Sequence, residues 1–278
     1  MILALGVVVI VLVLATWIGS RRQQGELAAE VDRLVRAGAT QGAETHSGDL
    51  GLENVPAPVA RYLRLALPNP THIRQVRMQQ VGMLRTDVSS ERWMPFEAEH
   101  TVVPPASGFV WNARVRIAPL LHVRVRDALV EGKGSGQVSL LSALTVSADG
   151  GTPEMNSGSL HRYLAEAVWY PTALLPGSNL RWTDIDAARA LATLTNHGVT
   201  VSLEFRFAET GEVTGIYTPA RWGTFPAGYR QVPWEGHFRH FRERDGIVVP
   251  TEGDVGWHVD NEWHAVWTGS ITAFELRN

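Results

Sequence analysis

The sequence predicts an α+β protein, mainly antiparallel β. A curved sheet or half-barrel surrounds a central helix, behind an N-terminal transmembrane helix. Three observations predict it. The run Ile2 to Ile18 carries no charge, stretches after Ile73 alternate apolar and polar residues, and a helix-period segment interrupts those stretches midway. The order strands, helix, strands places the helix on the concave face of the sheet.

The anchor comes first. About 17–20 apolar residues at about 1.5 Å each span a bilayer core. Trp17 closes the run, where an interfacial aromatic belongs, and Arg21 and Arg22 follow. A cleavable signal peptide would need a basic segment before the run and small residues after it. No Lys or Arg precedes the run and it ends in bulky residues, so residues 1–20 are expected to stay as a single cell-membrane span. The basic pair after the span favours a cytoplasmic C-terminal domain, although that rule weakens for long domains.

Residues 21–54 are expected to form a juxtamembrane helix and a linker. Leu27, Val31, Leu34 and Val35 make one apolar stripe over Glu26 to Arg36, with Gly38 as a cap. Ala39 to Glu53 is small and polar. The β-rich domain is expected to fill residues 55–278. It opens with a short helix, Ala57 to Leu67, bracketed by prolines. Phe109 to Ile117 and Leu121 to Arg126 alternate with period two, the habit of antiparallel strands with one wetted face. Ser159 to Trp169 reads as the central helix, capped by Ser157 or Ser159 and limited by Pro171. Ala187 to Leu194 reads as a further short helix. Strands are expected near 199–207, 213–222, 231–243, 247–258 and 263–276, with turns at Thr210-Gly211-Glu212 and Asp245-Gly246.

Composition removes several function classes. There is no cysteine, which excludes disulfides, thiolate nucleophiles and cysteine-bound metals. The net charge of -3 is spread without a basic cluster, so no nucleic-acid partner is expected. Gly132-Lys133-Gly134-Ser135-Gly136 lacks the spacing of a phosphate loop and reads as a hairpin. His237 and His240 are three apart in a strand pattern, which puts them on opposite faces. His258 and His264 flank a turn and would need to meet across it. No metal or cofactor is expected.

Other stretches carry a resemblance. They are Leu160-His161-Arg162-Tyr163-Leu164-Ala165-Glu166-Ala167-Val168-Trp169-Tyr170-Pro171-Thr172-Ala173-Leu174-Leu175-Pro176, Pro56 to Leu63, Gly108 to Trp111, Pro233-Trp234 and Pro250 to Trp257. Over residues 55–276 the chain resembles an uncharacterised family of bacterial membrane-anchored proteins, classed as a domain of unknown function. The resemblance implies a β-rich fold similar to the lipoprotein-carrier half-barrel, in which a sheet curls around an apolar cavity. It implies no activity and no catalytic residue.

Ten tryptophans are the compositional outlier. They suit either a Trp-rich core or an aromatic groove for an acyl chain. Trp263 and Trp267, four apart, are expected on one sheet face, and Trp111, Trp222 and Trp257 on other strands. Arg162 and Glu166, four apart on the helix, form either a plain ion pair or a polar anchor beside Trp169 and Tyr170, with Arg221 as a further partner. These ten residues form the expected ligand-binding set. The expected function is a membrane-anchored module, held by residues 2–18, that binds an apolar or lipid-like ligand. A hydrolase using Glu166 and Asp127 and a non-catalytic envelope scaffold are the alternatives.

Overall fold

The computed structural model describes residues 2–40, 51–69, 71–119 and 121–277, with side chains from residue 14 on. Helix α1 (Ile2–Thr40) precedes α2 (Ala57–Ala66). Strands β1 (Gln75–Leu84), β2 (Met94–Val103), β3 (Gly108–Ala118), β4 (Leu121–Val130), β5 (Lys133–Leu140) and β6 (Leu144–Gly150) follow. Helix α3 (Pro153–Glu166) leads into 3-10 turns at Ala167–Trp169 and Pro171–Leu174. The chain ends in β7 (Leu180–Asp186), β8 (Arg189–Asn196), β9 (Val199–Phe207), β10 (Val213–Phe225), β11 (Gly228–Arg244), β12 (Ile247–Val259) and β13 (Glu262–Arg277).

Among the described residues thirteen strands form one antiparallel sheet in the order β6-β5-β4-β3-β2-β1-β13-β12-β11-β10-β9-β8-β7. The first strand pairs with the last, Gln75 opposite Arg277, so two meanders join at the middle of the sheet. Helix α3 packs on β4 and β5 and also on β9 and β10. Those strands stand near opposite ends of the order, so the sheet must curl around the helix to meet it twice.

Two glycines make that contact close. A Cβ on Gly134 of β5 would strike the Met155 carbonyl oxygen at 2.5 Å and Ser159 Oγ at 2.6 Å. A Cβ on Gly158 would sit 2.8 Å from the Trp222 carbonyl oxygen of β10. The Gly134 N–H also donates to Asn156 Oδ1 at 2.8 Å. The glycine-rich run is therefore partly a seat for α3, beyond the hairpin that its composition suggests.

The sequence reading needs four corrections here. Ala187 and Ala188 form a turn and Arg189 to Leu194 are strand, because the apolar Ala190, Ala192 and Leu194 face inward with period two. Asp186 accepts from Ala188 N–H and Arg189 in a tight turn instead of capping a helix. The central helix starts six residues earlier than expected, with Thr152 Oγ1 accepting from Met155 N–H at 3.2 Å. Finally, the expected span and juxtamembrane helix are one helix, with Gly38 inside it against Val103.

The lower part of α1 docks on the convex face of the sheet. Leu34 is fully buried among Val103, Ala106, Val110, Ala128 and Val130, with Leu27 and Val31 beside it, while Val35 is exposed. Arg126 of β4 reaches Glu30 at 3.3 Å. Among the described residues no helix is long and apolar enough to cross a membrane. The span expected at 2–18 falls largely on side chains outside that description. The linker expected at 39–53 also lies mostly outside it, at residues 41–50.

Candidate functional site

The concave face is tightly packed at one end and only partly buried at the other. At the filled end α2, α3 and the 3-10 turns pack Val59, Tyr62, Leu63, Leu160, Tyr163, Leu164, Val168 and Tyr170 against Val76, Val102, Phe109 and Leu129. Further along the same faces Leu84, Met94, Val123, Val125, Val255, Trp257 and Trp267 border this core but are only partly buried. They form a partly buried apolar stretch of the inner wall.

A charged cluster lies between the two ends. Arg162 Nε donates to Glu166 Oε1 at 2.8 Å and its Nη1 to Asp127 Oδ2 at 2.9 Å. Its guanidinium carbon sits 4.9 Å from the Phe109 ring centroid and 5.0 Å from that of Trp111. Trp111 is held by Gln80, whose Oε1 accepts from the indole N–H at 2.9 Å. Arg221 of β10 donates from Nε and Nη2 to the Gly158 carbonyl at 3.2 and 3.0 Å. It stacks on Trp234 at 4.5 Å and Trp257 at 5.1 Å.

Burial governs the electrostatics. It raises the pKa of Glu166, against Arg162 and Arg221, with Asp127 adding to the rise. Asp127 is raised for the same reason, and the two arginines oppose the shift. Its side chain is nonetheless 41% exposed to water. Burial also works against the Arg162 charge, but Glu166 and Asp127 outweigh it and lift its pKa. Arg221 is pulled down to about 10 by burial and by Arg162. His100 of β2 faces Glu166, with Nε2 3.4 Å from Oε2. Burial first, and Arg162 second, hold that imidazole's pKa well below the usual value, and among the described residues neither of its ring nitrogens has a hydrogen-bond partner.

The family model for DUF6920 matches residues 53–276. The chain belongs to DUF6920, a family of unknown function. No functionally curated protein matches it. The fold of this DUF6920 chain is similar to that of a LolA superfamily protein from Nitrosomonas europaea. The two are 10% identical, over 80% of this chain and 93% of that one, with a TM-score of 0.40. It is also similar to a DUF1329 family protein from Desulfovibrio piger, at 10% identity, 79% and 92% coverage and a TM-score of 0.45. A β-barrel-like DUF1849 protein from Brucella abortus aligns at 10% identity over 74% and 98%, with a TM-score of 0.24.

In the DUF6920 domain the ten expected ligand residues separate into groups. Arg162, Glu166, Arg221 and Trp111 converge on the cluster, and Trp257 and Trp267 belong to the partly buried apolar stretch of the inner wall. Trp267 stacks on Phe96 with centroids 5.8 Å apart. Trp169 and Tyr170 belong to the filled end, with their polar atoms already used. The Trp169 indole N–H donates to the Pro250 carbonyl at 3.0 Å, and Tyr170 Oη donates to the Tyr163 carbonyl at 2.6 Å. Trp222 lies between two inward neighbours, Arg221 and Gly223, so it faces outward.

Trp263 does not share a face with Trp267. Trp267 pairs with Val255, Ala265 pairs with Gly256, and the residue between is a bulge that flips the alternation. Trp263 therefore packs on His237 of the convex face. The same register puts His264 opposite Trp257 and His258 opposite Trp263, so the two histidines do not meet. Among the described residues no group of three or more His, Asp or Glu is placed to hold a metal. Sequence reasoning missed His100, whose inward position follows from alternation with Phe96 and Ala98 in β2.

Proposed function

We propose that this protein is a membrane-anchored binding module whose concave recess holds an apolar, lipid-like ligand. One observation supports it: on the inner wall the large apolar side chains of Trp257, Trp267, Leu84, Met94, Val123 and Val125 are only partly buried, whereas the core under α2 and α3 is fully buried. Leaving large apolar groups on a concave wall costs roughly 25 cal/mol per Å² of exposed area. An acyl chain in the recess removes that cost, and the Arg162 cluster at its floor stops the chain from running into the filled end.

The uncharged run Ile2 to Ile18 supports attachment to a membrane, where such ligands are abundant. Carbonate washing tests this part. The full chain should stay with membranes and a chain lacking residues 2–20 should not.

Native mass spectrometry of the full chain, gently extracted, tests the binding reading. One retained amphiphile per chain is the expected result, and a uniformly bare chain would contradict it.

A second reading has one observation behind it. Asp127 and Glu166 share one arginine, both have raised pKa values, and water reaches Asp127, as acid chemistry on a bound ester would require. Ester hydrolysis lost in Asp127→Asn, with binding retained, would favour it.

A further inference from the structure

Arg221 differs from the other arginines that the strands and α3 pair with acids. Arg162, Arg189, Arg206 and Arg239 each lie within 4 Å of a carboxylate. Among the described residues Arg221 has no carboxylate that close, and it donates to one backbone carbonyl, that of Gly158. It is not an outer-surface group spread into water. It sits on the concave wall between Trp234 and Trp257, and Trp257 also belongs to the partly buried apolar stretch of that wall. A guanidinium presents five N–H donors in a flat fork, and the donation to Gly158 uses only one edge of it. The remaining edge is Nη1.

From this juxtaposition we propose that Arg221 seats the anionic headgroup of a single-chain amphiphile whose tail lies along Trp257 and Trp267. The inference rests on the lipid-binding reading above and adds the headgroup class to it. Arg162 cannot serve as well, because Glu166 and Asp127 already occupy it. Asp127 also limits the charge that the seat accepts, since it faces the same recess. A singly charged carboxylate fits this balance better than a more highly charged phosphate ester. The indole of Trp257 links the two parts of the site. Its face holds the guanidinium, and its edge extends into the apolar wall, the habit of an aromatic with one polar and one greasy neighbour.

The test uses the full chain held in an amphipol and a displaceable fluorescent fatty acid. Competitors of one tail length are dodecanoate, dodecyl phosphate and dodecanol. The expected order is dodecanoate tightest, with dodecanol weaker by roughly tenfold or more, the size of a charge-assisted hydrogen bond. Arg221→Gln should remove the gap between dodecanoate and dodecanol and leave dodecanol unchanged. Arg221→Lys, which keeps the charge and loses the fork, should retain part of the gap. Melting curves and near-ultraviolet dichroism establish that both variants fold.

Equal binding of dodecanoate and dodecanol by the unaltered chain would overturn the headgroup assignment and leave the lipid-binding reading standing. So would a gap that survives Arg221→Gln. Tighter binding of dodecyl phosphate than of dodecanoate would overturn the preference for a single charge. Binding of none of the three would overturn both readings.

Discussion

Arg162 Nε donates to Glu166 Oε1 at 2.8 Å, one turn along α3, while the same guanidinium reaches Asp127 of β4 at 2.9 Å. One side chain thus ties the helix to the wall it plugs. Water reaches only 18% of Arg162 and 15% of Glu166, so these are not surface ion pairs. A buried carboxylate left without its counter-charge is costly, whereas removing both partners costs less.

Arg162→Met should therefore destabilise the domain by about 3–5 kcal/mol. Adding Glu166→Leu to that variant should recover part of the loss, because the stranded carboxylate goes with it. Urea unfolding of the single and double variants checks this. A double variant as unstable as the sum of the two singles would show that the pair is not coupled.

Acid should act on the domain partly through His161. This imidazole is 6% exposed. Its Nδ1–H donates to the Ser157 carbonyl at 3.1 Å. Burial, and then Arg221, depress its pKa from 6.5 to about 4. A histidine depressed in the folded state binds its proton only on unfolding. Its contribution is present above about pH 6.5 and is lost as the pH falls toward about 4. The loss is about 3 kcal/mol in size. His100 acts in the same direction, and Glu166 and Asp127, being raised, act in the opposite one. The pH dependence of the difference between the unaltered chain and His161→Gln isolates the effect. A difference that stays flat across that window would remove it.

The helix seat gives a steric prediction. Gly158→Ala brings a methyl group onto the Trp222 carbonyl, where the backbone has no flexible end to move aside. It should cost about 1–3 kcal/mol, as overpacking does. Gly25→Ala, in the exposed part of α1 with nothing within 4 Å, should be neutral or stabilise by about 0.5–1 kcal/mol. Melting temperatures of the two variants decide it, and equal effects would contradict the packing described for α3.

Much of the fold is legible in the residues. Period-two alternation marks strands such as 199–207 correctly, because one face there is buried and the other wetted. Ala187 to Leu194 misleads for a physical reason. Alanine and leucine favour helix locally, but the neighbouring strands β7 and β9 supply a ladder that overrides the preference. The site is legible in part. The helix spacing of Arg162 and Glu166 predicts their bond, and inward placement of Trp111 and Trp257 follows from alternation. Trp263 is misplaced because a single-residue bulge cannot be seen in the spacing of two tryptophans. The roles of Asp127 and His100 depend on which strand lies beside which, and that comes only from the assembled sheet.

Recess geometry separates tryptophans that the sequence treats alike. Trp257→Ala and Trp267→Ala should each weaken binding of a fluorescent fatty acid by about tenfold. Trp263→Ala, on the convex face, should leave it unchanged. A loss in Trp263→Ala as large as in Trp267→Ala would show that the recess is not where the ligand lies.

Brominated fatty acid quenches only those indoles that its chain touches, and so tests most directly whether the concave recess takes up an acyl chain. In a Trp17→Phe background, saturating brominated acid should quench part of the indole emission. That part should disappear when Trp257 and Trp267 are both replaced by phenylalanine. Emission unaffected by the brominated acid, or quenched equally with and without those two indoles, would contradict the account.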